Sequence, residues 1–253
     1  MNKNFVVLIS FLISQQVLAF TLTDSRFFRF NNNEDIIIDV ASDGCSASGG
    51  YTAEELLSLA VHGAELYWNT VETANIKLVR GSVLSATANG KDLNSFYSAV
   101  FSNRNHIVIG CSSAVPATAA AYSTARGSDR NQIGLVLFKD DSTNFGRSYD
   151  TTAAIMAHEM GHCLGLGHTS FPNALMQSSG GSLGLYKLSQ DDRDGITYLY
   201  PHEKKAGGCL GAIGSIKDIS SDDHYQDSMA FFIGLTLILL MINIRAVKNP
   251  QLE

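Results

Sequence analysis

The chain has 253 residues, which is enough for one ordinary domain or two small ones. Its formal charge of −6 argues against a protein that binds nucleic acid or an anionic membrane surface. Hydrophobic residues make up 45% and charged residues 17%, so the chain can build a core and is too apolar to be disordered. Two apolar blocks, one at each end, raise the hydrophobic fraction.

The first apolar block is typical of a secretory signal peptide. Lys3 precedes the run FVVLISFLI, and the small residues Val17 and Ala19 stand three and one positions before a break. We predict cleavage after Ala19. The alternatives are a buried N-terminal strand and an uncleaved anchor.

The second apolar block, MAFFIGLTLILLMINI at 229–244, is typical of a helix that spans a membrane once. Three aspartates precede it and two basic residues follow it, which predicts an outside stem and an inside tail. A core helix is the alternative, but this run has no polar face. The two ends together carry a net +2, so the residues between them carry −8.

Apolar runs and capping residues predict five strands and three helices between the ends. The predicted strands lie at 35–40, 76–79, 106–109, 117–124 and 133–138. Thr52 and Glu55 form a capping box ahead of apolar residues at helical spacing, among them Trp68 as a core residue. A second helix is predicted at 151–164 and a third at 189–200, where Ser189 caps its start.

The run HEMGHCLGLGH, at 158–168, has the spacing of metal ligands. On a helix, His158 and His162 are one turn apart and face the same side, where they can hold a metal. Glu159 lies beside them, within reach of a water on that metal. Gly165 lets the helix stop, because glycine adopts left-handed turns, and His168 can then supply a third nitrogen.

Three imidazoles leave one coordination position open for water, as a catalytic zinc requires. A structural zinc site is disfavoured, because no fourth protein ligand lies at a fitting spacing. The remaining alternative is a helix that carries histidines on its surface.

This run resembles the metzincin metalloproteases, whose pattern H-E-x-x-H-x-x-G-x-x-H it matches without a gap. Two more segments narrow the resemblance to matrixin-like enzymes: HTSFPNALM at 168–176 is similar to the run from third ligand to Met-turn, and LSQDDRDGITYLY at 188–200 is similar to the final helix. The resemblance covers about 33–201. It implies an α+β zincin (metzincin) fold with a twisted five-stranded mixed sheet, two long helices and a C-terminal helix.

The resemblance implies a zinc endopeptidase that acts on extracellular or periplasmic peptides and proteins. His158, His162 and His168 would bind one catalytic Zn²⁺. Glu159 would take a proton from the attacking water and pass it to the leaving amine. Met176 would form an apolar floor beneath the metal without binding it.

The resemblance also implies where substrate lies. The strand near Ala119, Ala120, Ala121 and Tyr122 would be the sheet edge that pairs with extended substrate through backbone hydrogen bonds. Gln177 would begin a glycine-containing loop that lines the pocket for the residue after the cleaved bond. The usual Tyr and Pro after the Met-turn are replaced here by Gln177 and Ser178, which leaves the shape of that pocket open.

The family also has a structural zinc site and calcium sites, and the resemblance leads to a separate expectation for each. Two strands that help bind a structural zinc in the family read AAAYST and IGLVLF here and lack histidine, so we expect no such zinc. Family calcium sites would fall on Asp140, Asp141 or Asp150, with solvated loop acids as the alternative.

Four cysteines are present. In the family's sheet the first and third strands are parallel neighbours, which implies a disulfide between Cys45 and Cys111. Cys163 and Cys209 could pair with each other. Alternatively, Cys163 is a small buried hydrophobe and Cys209 a processing or lipid-attachment point.

The resulting organisation is an exported protein whose catalytic domain faces the cell surface or periplasm and is anchored in the membrane by its C-terminal helix. Release by cleavage in the stem is the alternative. We expect a monomer with a peptide or protein substrate and no nucleic-acid partner. A different class of function would be a catalytically silent, zinc-bearing surface protein for binding or adhesion. The predicted segments are a signal peptide at 1–19, a catalytic domain at 20–203, a stem at 204–228, an anchor at 229–245 and a cytoplasmic tail at 246–253.

Overall fold

Residues 20–23, 29–178 and 187–202 are described by a computed structural model of the chain. The predicted signal peptide, stem, anchor and tail lie outside the described residues. Within the described ranges, no helix has the length and apolar character needed to cross a bilayer.

Five strands form one mixed sheet, as predicted. Their order across the sheet is β2-β1-β3-β5-β4, and β4 runs antiparallel to β5 while the other neighbours are parallel. The sheet ends at one edge in β4, which contacts the helix at 149–164. The strands are β1 (Ile36–Ala41), β2 (Leu78–Leu84), β3 (His106–Ser112), β4 (Ala121–Ser128) and β5 (Asn131–Lys139).

β4 starts four residues later than the predicted strand at 117–124. The preceding segment forms a turn, in which the Ala119 N–H donates to the Pro116 carbonyl at 3.1 Å. β4 instead extends to Ser128, because it forms a hairpin with β5 that pairs Ser128 with Asn131. Ala119 and Ala120 thus precede the edge strand, while Ala121 begins it.

The three predicted helices are present, and two short ones accompany them. The helices are α1 (Ala53–Leu66), α2 (Leu93–Val100), α3 (Ser142–Phe145), α4 (Tyr149–Leu164) and α5 (Gln190–Leu199), with a 3-10 turn at Trp68–Thr70. Thr52 and Glu55 form the predicted capping box at the start of α1, and Ser189 forms a second one with Asp192 on α5. The α+β class with two long helices and a C-terminal helix is confirmed.

The two faces of the sheet are buried against different helices, because successive strand residues point to opposite sides. Ile36, Ile38 and Val40 of β1 face the core that contains α1 and α4. Ala41 faces a second cluster with Phe96 of α2. The unpredicted helix α2 therefore covers the face that α1 and α4 leave open.

Trp68 fixes α4 against the rest of the core. Its ring is fully buried, as predicted, and its Nε1–H donates to the Ala157 carbonyl of α4 at 2.8 Å. A buried indole N–H needs such a partner, because an unpaired donor in the core is destabilising. This bond therefore sets the position of α4 one residue before His158.

Cys45 and Cys111 are joined by a disulfide, with their Cα atoms 5.0 Å apart. Cys45 follows β1 and Cys111 lies in β3, and these strands are parallel neighbours as expected. Asp140 accepts hydrogen bonds from the backbone N–H groups of Ser46 and Ala47, which holds the loop after the bridge. Cys163 is a free, buried thiol.

Asp39 of β1 is a buried carboxylate inside the sheet, with 2% of its surface exposed. It accepts hydrogen bonds from the Ser82 N–H at 2.7 Å and from His106 Nδ1 at 2.5 Å. Burial alone would raise the pKa of the Asp39 carboxyl, but the bonds from His106 and Ser82 outweigh it and lower that pKa. Asp39 is therefore held in its charged form between three strands.

Candidate metal centre

His158 and His162 lie one turn apart on α4, with ring centroids 4.8 Å apart. Ser148 caps the start of α4, and the helix ends at Gly165, whose φ of 108° is left-handed. A side chain at Gly165 would strain this conformation. The glycine therefore lets the chain turn back at the point where the third histidine must approach.

His168 reaches the other two histidines after that turn. Its Nε2 lies 3.1 Å from His162 Nε2. Each of the three histidines offers one ring nitrogen, and these nitrogens all lie within 4.8 Å of one another. Among the described residues, these three histidines form the group of His, Cys, Asp or Glu side chains that lie close enough together to share one metal ion.

The outer nitrogens of two rings are fixed by backbone carbonyls. Nδ1–H of His158 donates to the Leu175 carbonyl at 2.6 Å, and Nδ1–H of His162 donates to the Leu166 carbonyl at 2.8 Å. Each bond sets the tautomer that leaves the Nε2 lone pair free for a metal.

The same two rings are neutral at physiological pH. Burial lowers the pKa of His158. Burial, together with the neighbouring His158, lowers the pKa of His162 to about 4. Three clustered imidazoles, of which His158 and His162 are neutral and oriented, fit Zn²⁺, which prefers nitrogen ligands of this kind.

The loop that carries His168 is held by the first described residues of the chain. The Thr23 N–H donates to the Gly165 carbonyl at 3.0 Å, and the Gly167 N–H donates to the Thr21 carbonyl at 2.8 Å. The Thr21 hydroxyl also donates to the His168 carbonyl. No local pattern in the sequence predicts this contact, because a segment this short has no hydrophobic period.

The Met176 side chain packs against α4 at Gly161, between His158 and His162. It is 2% exposed. The Asp192 carboxylate on α5 accepts hydrogen bonds from the backbone N–H groups of Leu175 and Met176, at 3.0 and 3.2 Å. The sequence predicts the cap at Ser189 but does not indicate that Asp192, three residues later, also holds this turn.

Glu159 lies next to the first histidine and is 9% exposed. Burial raises the pKa of its carboxyl, against opposing effects from a Ser123 hydrogen bond and from two histidines. The Ser123 hydroxyl of β4 donates to Glu159 Oε2 at 2.5 Å. Sequence reasoning missed Ser123, since its role depends on how closely β4 approaches α4.

A cleft of about 1230 Å³ contains the three histidines and Glu159 and runs along β4. All five residues that we predicted to contact substrate line it: Ala119, Ala120, Ala121, Tyr122 and Gln177. Tyr122 is exposed and Ala121 is buried, as expected for alternating positions on an edge strand. Residues 179–186 of the predicted pocket loop lie outside the described residues.

A family model described as Peptidase_M10, Matrixin, matches residues 68–201, which is more than half of the chain. The chain belongs to the matrixin family. The matched range contains the three histidines, Glu159 and Met176.

Curated matrixins align with shorter stretches. Matrix metalloproteinase-25 of Mus musculus is 45% identical over 71 residues, which is 25% of this chain and 12% of that protein. Matrix metalloproteinase-25 of Homo sapiens is 53% identical over 51 residues, or 19% of this chain and 9% of that protein. Matrilysin of Homo sapiens is 53% identical over 45 residues, or 17% of each. The aligned part of this matrixin thus spans less than a fifth of each of these relatives.

The matrixin resemblance suggested three aspartates as calcium ligands. In the structure, each of them contacts a group of the protein itself. Asp140 binds backbone N–H groups near the disulfide, and Asp141 caps α3 and pairs with Lys139 at 3.2 Å. Asp150 lies 3.3 Å from His62. A calcium site in this matrixin stays a prediction.

Proposed function

We propose that this chain is a zinc-dependent endopeptidase that hydrolyses peptide bonds of extracellular or periplasmic proteins. The main support is the cluster of three histidine nitrogens within 4.8 Å of one another, beside a buried glutamate in an open cleft. His158, His162 and His168 would hold the zinc. Membership of the matrixin family supports the same chemistry.

Zinc, when bound, supplies a Lewis acid that polarises the scissile carbonyl and lowers the pKa of water. The protein positions the proton carrier. Glu159 accepts a proton from the attacking water and delivers it to the leaving amine. Its raised pKa suits this role, because a base works best when its pKa is near the working pH. Ser123 orients the carboxylate through its bond to Oε2.

The substrate would bind as an extra strand. β4 is the last strand in the sheet order, and its outer edge lines the cleft. An extended peptide can use the backbone groups of such an edge for affinity while its side chains enter pockets. Ala121 and Tyr122 would lie along this peptide, and Gln177 would line the pocket beyond the cleaved bond.

A catalytically silent surface protein for binding or adhesion is the second candidate. Such a protein needs zinc ligands but no proton carrier. The buried, hydrogen-bonded Glu159 favours the peptidase. Burying an ionisable carboxyl costs free energy, and a protein that only binds zinc would not need this residue.

Replacing Glu159 tests the proposal. We expect Glu159→Ala to lower peptide cleavage by about 100- to 10,000-fold while zinc content stays unchanged. The measurement is cleavage of a mixed peptide library by the full-length protein, with zinc or with chelator, alongside metal analysis. Glu72→Ala, at an exposed position that does not line the cleft, is the control and should cleave like the wild type. Equal cleavage by wild type and Glu159→Ala, or by neither, would contradict the proposal.

We further propose that the protein is exported and anchored in the membrane by 229–245, with the catalytic domain outside and active as a monomer. The sequence of the two ends supports this. The Cys45–Cys111 disulfide also supports export, because such bonds persist in oxidising compartments.

A further inference from the structure

The cleft continues past the histidines along β4 to a polar end. Tyr97, Arg126, Gly127 and Gln132 line this part of the cleft, which we call the distal end. Arg126 and Gly127 lie in the last part of β4, and Gln132 is the register partner of Gly127 on β5. None of these residues has a role in the chemistry proposed above.

Arg126 presents an unneutralised cation at the distal end. Its guanidinium lies over the Tyr97 ring, 5.4 Å from the centroid, and one nitrogen donates to the Asn94 side chain. Arg104 brings a second guanidinium, which donates to the Tyr97 hydroxyl at 3.5 Å. Within the described part of the chain, neither arginine forms an ion pair with an acidic side chain.

Several donors at the distal end lack partners. Arg126 Nε and Arg104 Nη1 are buried without a hydrogen bond. Gln132 is 1% exposed, and neither its amide nitrogen nor its amide oxygen has a partner. Buried polar groups are normally paired, and leaving them unpaired costs free energy. An acceptor that enters this end of the cleft would offer a partner to the unpaired nitrogen donors, though not to the Gln132 amide oxygen.

The distance from Ser123 gives the position of the distal end on a substrate. Ser123 touches Glu159 and so marks the scissile bond, and Arg126 follows three residues later, about 10 Å along the strand. A peptide that pairs antiparallel with β4 places its N-terminal part beside the C-terminal part of β4. Arg126 then faces a residue about three positions before the cleaved bond.

We infer that Arg126, stacked on Tyr97 with Arg104 behind it, is a specificity residue that binds an acidic substrate side chain on the N-terminal side of the scissile bond. A carboxylate is the ligand that a guanidinium binds best, through paired N–H donors. The inference rests on the proposed endopeptidase function. It also means that the overall charge of −8 between the ends does not describe the charge that substrate meets at this point.

Cleavage of matched peptides tests the inference. A fluorogenic peptide cleaved by the full-length, zinc-loaded protein is prepared with Glu, Gln or Lys at each of the second to fourth positions before the bond. At one of these positions, we expect kcat/KM for the Glu peptide to exceed that for the Gln peptide by about tenfold. This is the effect of one hydrogen bond to a charged group. The difference should appear in KM. Arg126→Gln should remove this preference, Arg126→Lys should retain part of it, and Arg126→Glu should favour Lys.

Arg130→Gln is the matched control, because Arg130 is exposed in the β4–β5 turn and does not line the cleft. It should keep the wild-type preference for Glu. Equal kcat/KM for Glu and Gln in the wild type, or an equal loss for both peptides in Arg126→Gln, would overturn the inference.

Binding separates this inference from the proposed function. Fluorescence anisotropy of the same peptides on zinc-loaded Glu159→Ala protein measures selection without cleavage. Tighter binding of the Glu peptide that weakens with salt supports the subsite even if no peptide is cleaved, while cleavage without any selection for Glu overturns the subsite alone.

Discussion

Gly161 lies between His158 and His162 on α4 and leaves room for the side chains that pack against this turn. A Cβ at this position would meet the Met176 sulfur and would lie 2.7 Å from Cζ2 of Trp68. The Trp68 ring cannot move aside easily, because its N–H is bonded to the Ala157 carbonyl. The glycine within HEMGH is therefore required by packing.

We predict that Gly161→Ala destabilises the protein. Overpacking costs about 1 to 3 kcal/mol, more than the roughly 1 kcal/mol that alanine gains over glycine inside a helix. Urea unfolding measures the difference. Gly146→Ala is the control, because the nearest atom to its added Cβ is 3.7 Å away and its φ is −74°. An unfolding midpoint of Gly161→Ala equal to that of the wild type would contradict this packing argument.

Single residues of the site divide into those that sequence can predict and those that it cannot. His158, Glu159 and His162 are predictable, because one helical turn fixes their relation whatever the rest of the fold does. Ser123 and Thr21 act on the site from distant segments. Their contacts depend on how strands and loops assemble, which no local pattern records.

The pairing of β1 with β3 places the Asp39 carboxylate against His106 inside the sheet. Because the pKa of Asp39 is lowered on folding, the charged form contributes stability at every pH above its ordinary value of 3.8. That contribution is lost as the pH falls from there through the lower pKa of the folded state.

We predict that Asp39→Asn lowers the free energy of unfolding at pH 7 by about 1 to 3 kcal/mol, since buried partners lose a charged acceptor. The variant should also lose less stability than the wild type between pH 4 and pH 2. Urea midpoints measured across that range test both points. Asp35→Asn, at an exposed position just before β1, should follow the wild type. If the urea midpoints of wild type and Asp39→Asn changed in parallel with pH, the stabilising role of the Asp39 carboxylate would be disproved.

The strands and helices were predictable where a local sequence pattern defines them and were missed where it does not. Long apolar runs such as β5 and the capped helices α1 and α5 were predictable. α2 was missed because only Phe96 and Val100 of its eight residues are buried, which is too few to show a helical period. The predicted range of β4 began four residues too early, because the pairing of this strand with β5, and not its own composition, decides where it begins.

Export and anchoring concern the whole molecule. We predict that the full-length protein sediments with membranes after an alkaline wash, with the Cys45–Cys111 thiols unreactive and the catalytic domain open to added protease. A chain that stops at Ser228 should be found in the soluble exported fraction. The measurement is fractionation with thiol labelling. A full-length protein recovered soluble inside the cell, with both thiols reactive, would refute the prediction.

The bond between Thr21 and the His168 carbonyl joins residues that are 147 positions apart. We expect a contact of this separation to form late in folding, because a long loop must close before the interaction can form. His158 and His162, by contrast, need only one turn of helix to face a metal together. We therefore expect the site to assemble in two stages: His158 and His162 come together when α4 forms, and His168 is held in place only when residues 21–23 dock beside it.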